Sequence, residues 1–207
     1  VYSFRWESTL KSVEASLLKP AVRVLGISES APSDGKITIL GGVVMRADFI
    51  IDGMAFGTAS IGGMDGTDSV LDLIRQIGRE DIGGIILHGS VIALYNMIDL
   101  QQLNDETSLP VISVTKEAQG DIRQHLEAAF PNEWQTRWDI VFRNGPMQQL
   151  KLGTGNEVFV QFRGVGWGVV KTLVERLTRF GGLPEPIRVA RLFARSLART
   201  WNERERR

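Results

Sequence analysis

Arg188, Arg191, Arg195 and Arg199 recur at steps of three, four and four, a spacing that sets their guanidinium groups on one side of a helix. Each guanidinium is a planar fork able to pair two phosphate oxygens, so such a row suits a nucleic-acid backbone; the plain alternative is a solvated helix face. Ala190, Phe193, Ala194, Leu197 and Trp201 occupy the other side and are expected to face a sheet. The chain has no cysteine, which excludes disulfides and thiolate metal sites, and its histidines are His88 and His125. Ser28 and Ser30 carry hydroxyls, yet no Ser-His-Asp constellation is legible from spacing. Gly41-Gly42 and Gly62-Gly63 lack the following lysine, or the further spaced glycines, of a phosphate-cradling loop.

Positioning these groups requires a sizeable core, and 207 residues at 43% hydrophobic and 23% charged are ordinary material for one domain. Formal charge is zero, so any nucleic-acid surface must be local. No apolar run approaches the roughly 20 residues of a membrane span, and nothing at the start reads as a signal peptide; a soluble, cytoplasmic protein with no membrane partner is expected. A β-branched run over 22–27 reads as a strand ended by a turn-prone stretch over 28–35. Runs over 37–46 and 49–61 read as a hairpin turning at Ala47-Asp48. Beyond Gly66 the period becomes helical, with Val70, Leu71, Ile74 and Ile77 on one face and Thr67 as N-cap. Strands over 84–87, 110–114 and 157–162 alternate with helices over 96–105, 118–130, 165–180 and 184–201. The organisation is an N-terminal arm or helix over 1–20, a single domain over 21–201 and a charged tail over 202–207. Three antiparallel strands leading into parallel βα units, with helices on both faces, is the order of the α/β ribonuclease H-like fold.

Arg23-Val24-Leu25-Gly26-Ile27, Gly41-Gly42-Val43-Val44-Met45-Arg46, Gly63-Met64-Asp65-Gly66-Thr67, Ile85-Ile86-Leu87-His88-Gly89, Tyr95-Asn96-Met97-Ile98-Asp99, Leu109-Pro110-Val111-Ile112-Ser113-Val114 and Gly182-Leu183-Pro184-Glu185-Pro186-Ile187-Arg188 follow one another in the chain. In that order they resemble an archaeal family related to endonuclease V, long a domain of unknown function and lately called endonuclease dU homologues. The resemblance covers about residues 20–200. It implies a ribonuclease H-like core and nucleic-acid substrates. In active relatives it implies a DNA-repair cut, dependent on magnesium or manganese, near a deaminated base such as deoxyuridine.

Against the family pattern, Gly26-Ile27 is followed by Ser28 and Glu29 where Asp-Asp is usual, Leu87 by His88 where aspartate is usual, and the terminal motif by Arg191 where histidine or aspartate is usual. The catalytic positions implied by the resemblance are thus Glu29, Asp65 and His88, with Asp65 and Glu29 left as metal ligands. One reading is a rebuilt site for a single ion, histidine favouring zinc or manganese. The other is structural: Asp65 holds its turn, Asp68 favours the first turn of a helix, and His88 is hydrogen-bonded at a strand end. By the same resemblance Tyr95 lies near the substrate, to stack on a base or to brace a helix start. The expected function is nucleic-acid binding, DNA before RNA, by Tyr95, Arg188, Arg191, Arg195 and Arg199 on an endonuclease V-like scaffold with a degraded divalent-metal site. An active endonuclease and a protein assembly subunit are the alternatives.

Overall fold

Val24, Leu25 and Ile27 leave the first strand without a polar side chain at its centre, so it has to be covered on both faces. In the computed structural model, which describes residues 11–30, 36–118 and 120–205, it is. Strands β1 (Arg23–Glu29), β2 (Ile37–Arg46) and β3 (Ile51–Ser60) form an antiparallel meander. β4 (Ile82–Leu87) and β7 (Val111–Thr115) extend it in parallel from β1, and β9 (Glu157–Arg163) and β8 (Gln148–Lys151) close it antiparallel. The sheet has seven strands in the order β3-β2-β1-β4-β7-β9-β8. Val91–Ile92 (β5) and Asn96–Met97 (β6) make a separate short ladder.

Helices α2 (Gly66–Ile77) and α3 (Leu100–Thr107) cover the face formed by Leu25, Ile27, Leu40 and Ile85. On the other face, α6 (Trp167–Leu177) packs on Val24, Ile86 and Ile112, and α7 (Glu185–Glu205) crosses β1 and β2. A helix over residues 11–17 (α1) docks beside α6: Glu14 accepts from the Gly166 N–H, and Arg176 donates to the carbonyls of Leu17, Leu18 and Lys19. Residues 1–10, half of the expected arm, and 31–35, most of the expected turn, lie outside the described residues, as do the last two of the expected tail. The backbone of α7 runs on to Glu205, through most of that tail. Among the described residues no helix is long and apolar enough to cross a membrane.

Several expectations are corrected. The helix expected from residue 96 starts at Leu100, because Asp99 caps it by accepting from the N–H groups of Gln101 and Gln102, while Asn96 is drawn into the β5–β6 ladder. Asp65, not Thr67, stands at the N-cap position of α2; the Thr67 hydroxyl instead accepts from the Asp99 N–H. Between 130 and 157 the sequence suggests only that Trp134 and Trp138, four apart, pack into a core; α5 (Trp134–Asn144) and β8 lie there. With α4 (Ile122–Ala129), α5 forms a small side core holding Trp134, Trp138 and Phe130. Trp201 is exposed rather than turned to the sheet, and Ala190 and Ala194 carry the contact.

That contact is close. A Cβ on Gly26 would lie 2.4 Å from the Pro186 carbonyl carbon, and one on Gly41 would lie 2.6 Å from the Ala190 carbonyl oxygen. Backbone cannot swing aside as a flexible side chain does. Gly26→Ala is therefore expected to lift the start of α7 and to lower the free energy of unfolding by about 1–3 kcal/mol in urea titrations. Gly53→Ala, whose Cβ would meet nothing closer than 3.8 Å, is expected to be near neutral, and equal effects from the two would refute the close-packing account.

Candidate functional site

The parallel strands β1 and β4 end side by side, and their ends bring together residues 60 apart in sequence. Ile27 pairs with Leu87, and the His88 N–H then bonds the Ile27 carbonyl at 2.9 Å. Side chains alternate along β1, so Ser28 turns to the α7 face with Gly26, while Glu29 follows Ile27 to the other. The buried Ser28 hydroxyl shares a 3.1 Å hydrogen bond with His88 Nδ1. Glu29 Oε2 accepts from the Ala93 N–H at 2.9 Å.

Three cations lie close enough to act on His88, and one of them, Arg191, acts on Glu29 as well. Burial pushes the His88 imidazole down to about 4, and the charges of Arg191, Lys116 and Arg195 push the same way, so the ring is neutral at physiological pH. Burial pushes the Glu29 carboxyl up to about 7, opposed only in part by the Ala93 N–H, the Thr38 hydroxyl and the Arg191 charge. Arg191 is half-buried; desolvation and Arg195 lower its pKa against the pull of Glu29. Among the described residues neither Arg191 nor Arg195 has an ion-pair partner within 4.0 Å. Arg188 differs: its Nε and Nη2 both donate to Glu185 Oε2, which holds the guanidinium against its own helix. Arg199 is exposed further along α7. Lys116, just beyond β7, was missed in the sequence; the parallel pairing of β4 with β7 was the available signal, since ligand groups collect at the carboxyl ends of parallel strands.

Asp65 does not join this group. Its carboxylate accepts from the Ser60 N–H and hydroxyl and from Asn96 Nδ2. Burial works against its charge, but those donors outweigh it and hold the carboxyl below the usual range. Asp68 sits in the first turn of α2. The Tyr95 ring packs edge-on to Phe130 and against His125 in the α4–α5 side core. Its neighbour Leu94 projects instead, 59% exposed. Ala93, Leu94 and Tyr95 all have positive φ, an unusual run for residues with side chains, each held at a cost of about 1–3 kcal/mol by its surroundings. Three hydrogen bonds pin it: the Ala93 N–H to Glu29, the Gly62 N–H to the Ala93 carbonyl, and Arg137 Nη1 to the Tyr95 carbonyl.

A divalent ion of the magnesium type needs several anionic oxygens converging on one point. Among the described residues no three of His, Cys, Asp and Glu come together in that way. With Asp65 committed to Ser60 and Asn96, and the Arg191 charge acting on Glu29 and His88, the described residues do not fit the metal pair of a phosphodiester hydrolase. What gathers there instead is a neutral imidazole, a hydroxyl, and the positive charges of Arg191, Arg195 and Lys116 acting on them.

Comparison with known proteins agrees with this scaffold. A UPF0215 protein of Methanosarcina barkeri is 32% identical over 86% of this chain and 91% of its own. A crystal structure of a protein of unknown function from Archaeoglobus fulgidus superposes with a TM-score of 0.73 at 26% identity, covering 84% of this chain and 97% of that one. Endonuclease V of Ciona intestinalis, crystallised with a 23mer DNA containing an inosine followed by a ribo-adenosine, superposes with a TM-score of 0.60 over 96% of this chain and 98% of its own; at 12% identity it speaks for the fold alone. The ribonuclease H-like, endonuclease V-like architecture expected from the motifs is therefore the observed one. The endonuclease dU family model matches residues 20–198, and the chain belongs to that family.

Proposed function

We propose that the protein binds nucleic acid, DNA in the first instance, on its endonuclease V-like scaffold in the cytoplasm, and that its metal-nuclease site is degenerate. The observation that carries this reading is the placement of Arg191, with Arg195 and Lys116 near it, at the ends of β1 and β4, beside a neutral His88 and a Glu29 that burial keeps partly protonated. Cations there attract a phosphate directly, without an ion between. Ser28 and His88 can complete the phosphate's hydrogen bonds, and Leu94 on its strained turn presents an apolar tip to a base. Of the arginine row, Arg191 and Arg195 carry most of the binding, because Arg188 is engaged by Glu185.

The test is fluorescence anisotropy on labelled single and double strands, with and without magnesium, across a salt series. Binding should persist in chelator and weaken with salt. Arg191→Ala/Arg195→Ala should lose roughly 10- to 100-fold in affinity. The slope of log affinity against log salt should also fall by about 0.7–0.9 per phosphate contact removed. Unchanged binding in the double variant refutes the reading. Cleavage of uracil- or hypoxanthine-containing strands with magnesium or manganese, abolished by Asp65→Ala, would instead establish an active repair endonuclease. Binding no tighter than that of an unrelated neutral protein would favour an assembly subunit.

A further inference from the structure

Strand β3 is one of the two edges of the sheet, β8 being the other, and among the described residues the unpaired main chain of β3 has two defined ends. In an antiparallel pair alternate residues turn both N–H and C=O toward the partner. The Ile61 N–H bonds the Lys36 carbonyl, so Ala59, Gly57, Ala55 and Gly53 turn inward to β2, and Met54, Phe56, Thr58 and Ser60 turn outward. Ser60 is closed off: Asp65 takes its N–H and Asn96 donates to its carbonyl. At the other end the Asp52 carbonyl accepts from Arg79 Nη1. Between these caps, nothing among the described residues bonds the outward groups of Met54, Phe56 and Thr58.

The open segment lacks every feature by which natural edges refuse a second strand. From Gly53 to Ser60 there is no charge, no proline and no bulge; the one acid of β3, Asp52, is paired with Arg23 at 2.5 Å. Met54 and Phe56 are 45% and 42% exposed. Both lie on the α7 side of the sheet, as Phe56 sits opposite Gly41 and Met54 opposite Val43, yet α7 packs chiefly on β1 and β2, with a lesser contact on β4, and leaves both side chains exposed.

We infer that β3 is the seam of a homodimer, in which two copies pair antiparallel about a two-fold axis through Phe56 to make one continuous sheet. The occupant is a second copy because the open segment is its own complement. With three free residues centred on Phe56, the two-fold sets Phe56 against Phe56, Met54 against Thr58, and Ala55 against Gly57. Every free N–H and C=O then finds a partner. The apolar side chains of both strands meet in the strip left bare between the two copies of α7, while small residues meet on the opposite face. The end caps set the register: sliding the pairing by two residues would drive a free group onto Ser60 or Asp52, whose own are already taken. The dimer does not depend on what the ends of β1 and β4 bind.

The experiment is sedimentation equilibrium of the full chain at micromolar concentration, on the wild type, Phe56→Lys and Phe56→Glu. The wild type should sediment at twice the chain mass and each variant at the chain mass. An equimolar mixture of the two variants should return to twice the mass, because only a 56-to-56 contact sets lysine against glutamate. Since the chain has no cysteine, Phe56→Cys introduces a single thiol, expected to cross-link on mild oxidation. Leu94→Cys, exposed but off the seam, should not. A monomeric wild type, a mixture that stays monomeric, or cross-linking no better at 56 than at 94 would each overturn the inference.

Discussion

Arg137→Ala is expected to lower the free energy of unfolding by about 3–5 kcal/mol, enough to remove much of the stability of a domain this size. The Arg137 side chain is 1% exposed, and its guanidinium donates to the carbonyls of Gly62, Gly63 and Tyr95 and to Glu133, stacked 3.8 Å above the Phe130 ring. Truncation leaves three carbonyls without their donor and opens a cavity in the side core. The exposed Glu133 contributes little of that; the carbonyls carry the effect. Arg137→Lys keeps the charge but not the fork, and should fall between alanine and wild type. Urea titration reads all three, and a loss under about 1 kcal/mol for alanine would show that the carbonyls are satisfied another way. The same bonds tie the turn before α2 to the strained turn at Ala93–Tyr95, so the alanine variant should also expose the backbone of both to hydrogen exchange.

Glu29 and His88 should give the protein two opposing slopes of stability with pH. The folded state holds the Glu29 proton up to about 7, whereas the unfolded chain releases it near 4.5, so stability falls as pH rises between those values. The folded state refuses a proton on His88 until about 4, whereas the unfolded chain takes one near 6.5, so stability is lost as pH falls through that window. Each effect is on the order of 3 kcal/mol over its full range, and between 4.5 and 6.5 they oppose each other. Wild-type stability should accordingly vary little across that interval. Glu29→Gln, which keeps an acceptor for the Ala93 N–H, should uncover the histidine slope, rising from about pH 4 to 6.5 and flat above. His88→Asn should uncover the glutamate slope, falling from about 4.5 to 7. Denaturation midpoints across pH decide it; a Glu29→Gln profile that tracks the wild type would mean that Glu29 is ionised in the folded protein.

Much of the scaffold is legible in the order of residue types, because strands covered on both faces have to be apolar throughout. Val24–Ile27 and Gly84–Leu87 stand out in that way, with Val111–Val114 broken only by Ser113, and the seven short motifs in order place them in one family. Adjacent residues of a strand face opposite ways, so the divergence of Ser28 and Glu29 also follows from sequence alone. What lies between Phe130 and Glu157 does not: α5 is held by Arg137, a charged residue at a core position, and hydrophobic periodicity has no place for a buried cation satisfied by carbonyls from distant turns. Asp65 reads as a site residue in the sequence, yet the fold commits it, together with Asn96, to the main-chain groups at the end of β3. The residue types, their order and their strand faces are thus set by the chain itself. Tertiary structure decides which of them meet: Ser28 with His88, Arg191 near Glu29, and Arg188 held back by Glu185. Those meetings depend on how parallel strands register and how closely α7 lies on Gly26 and Gly41, and neither is encoded in any local window of sequence.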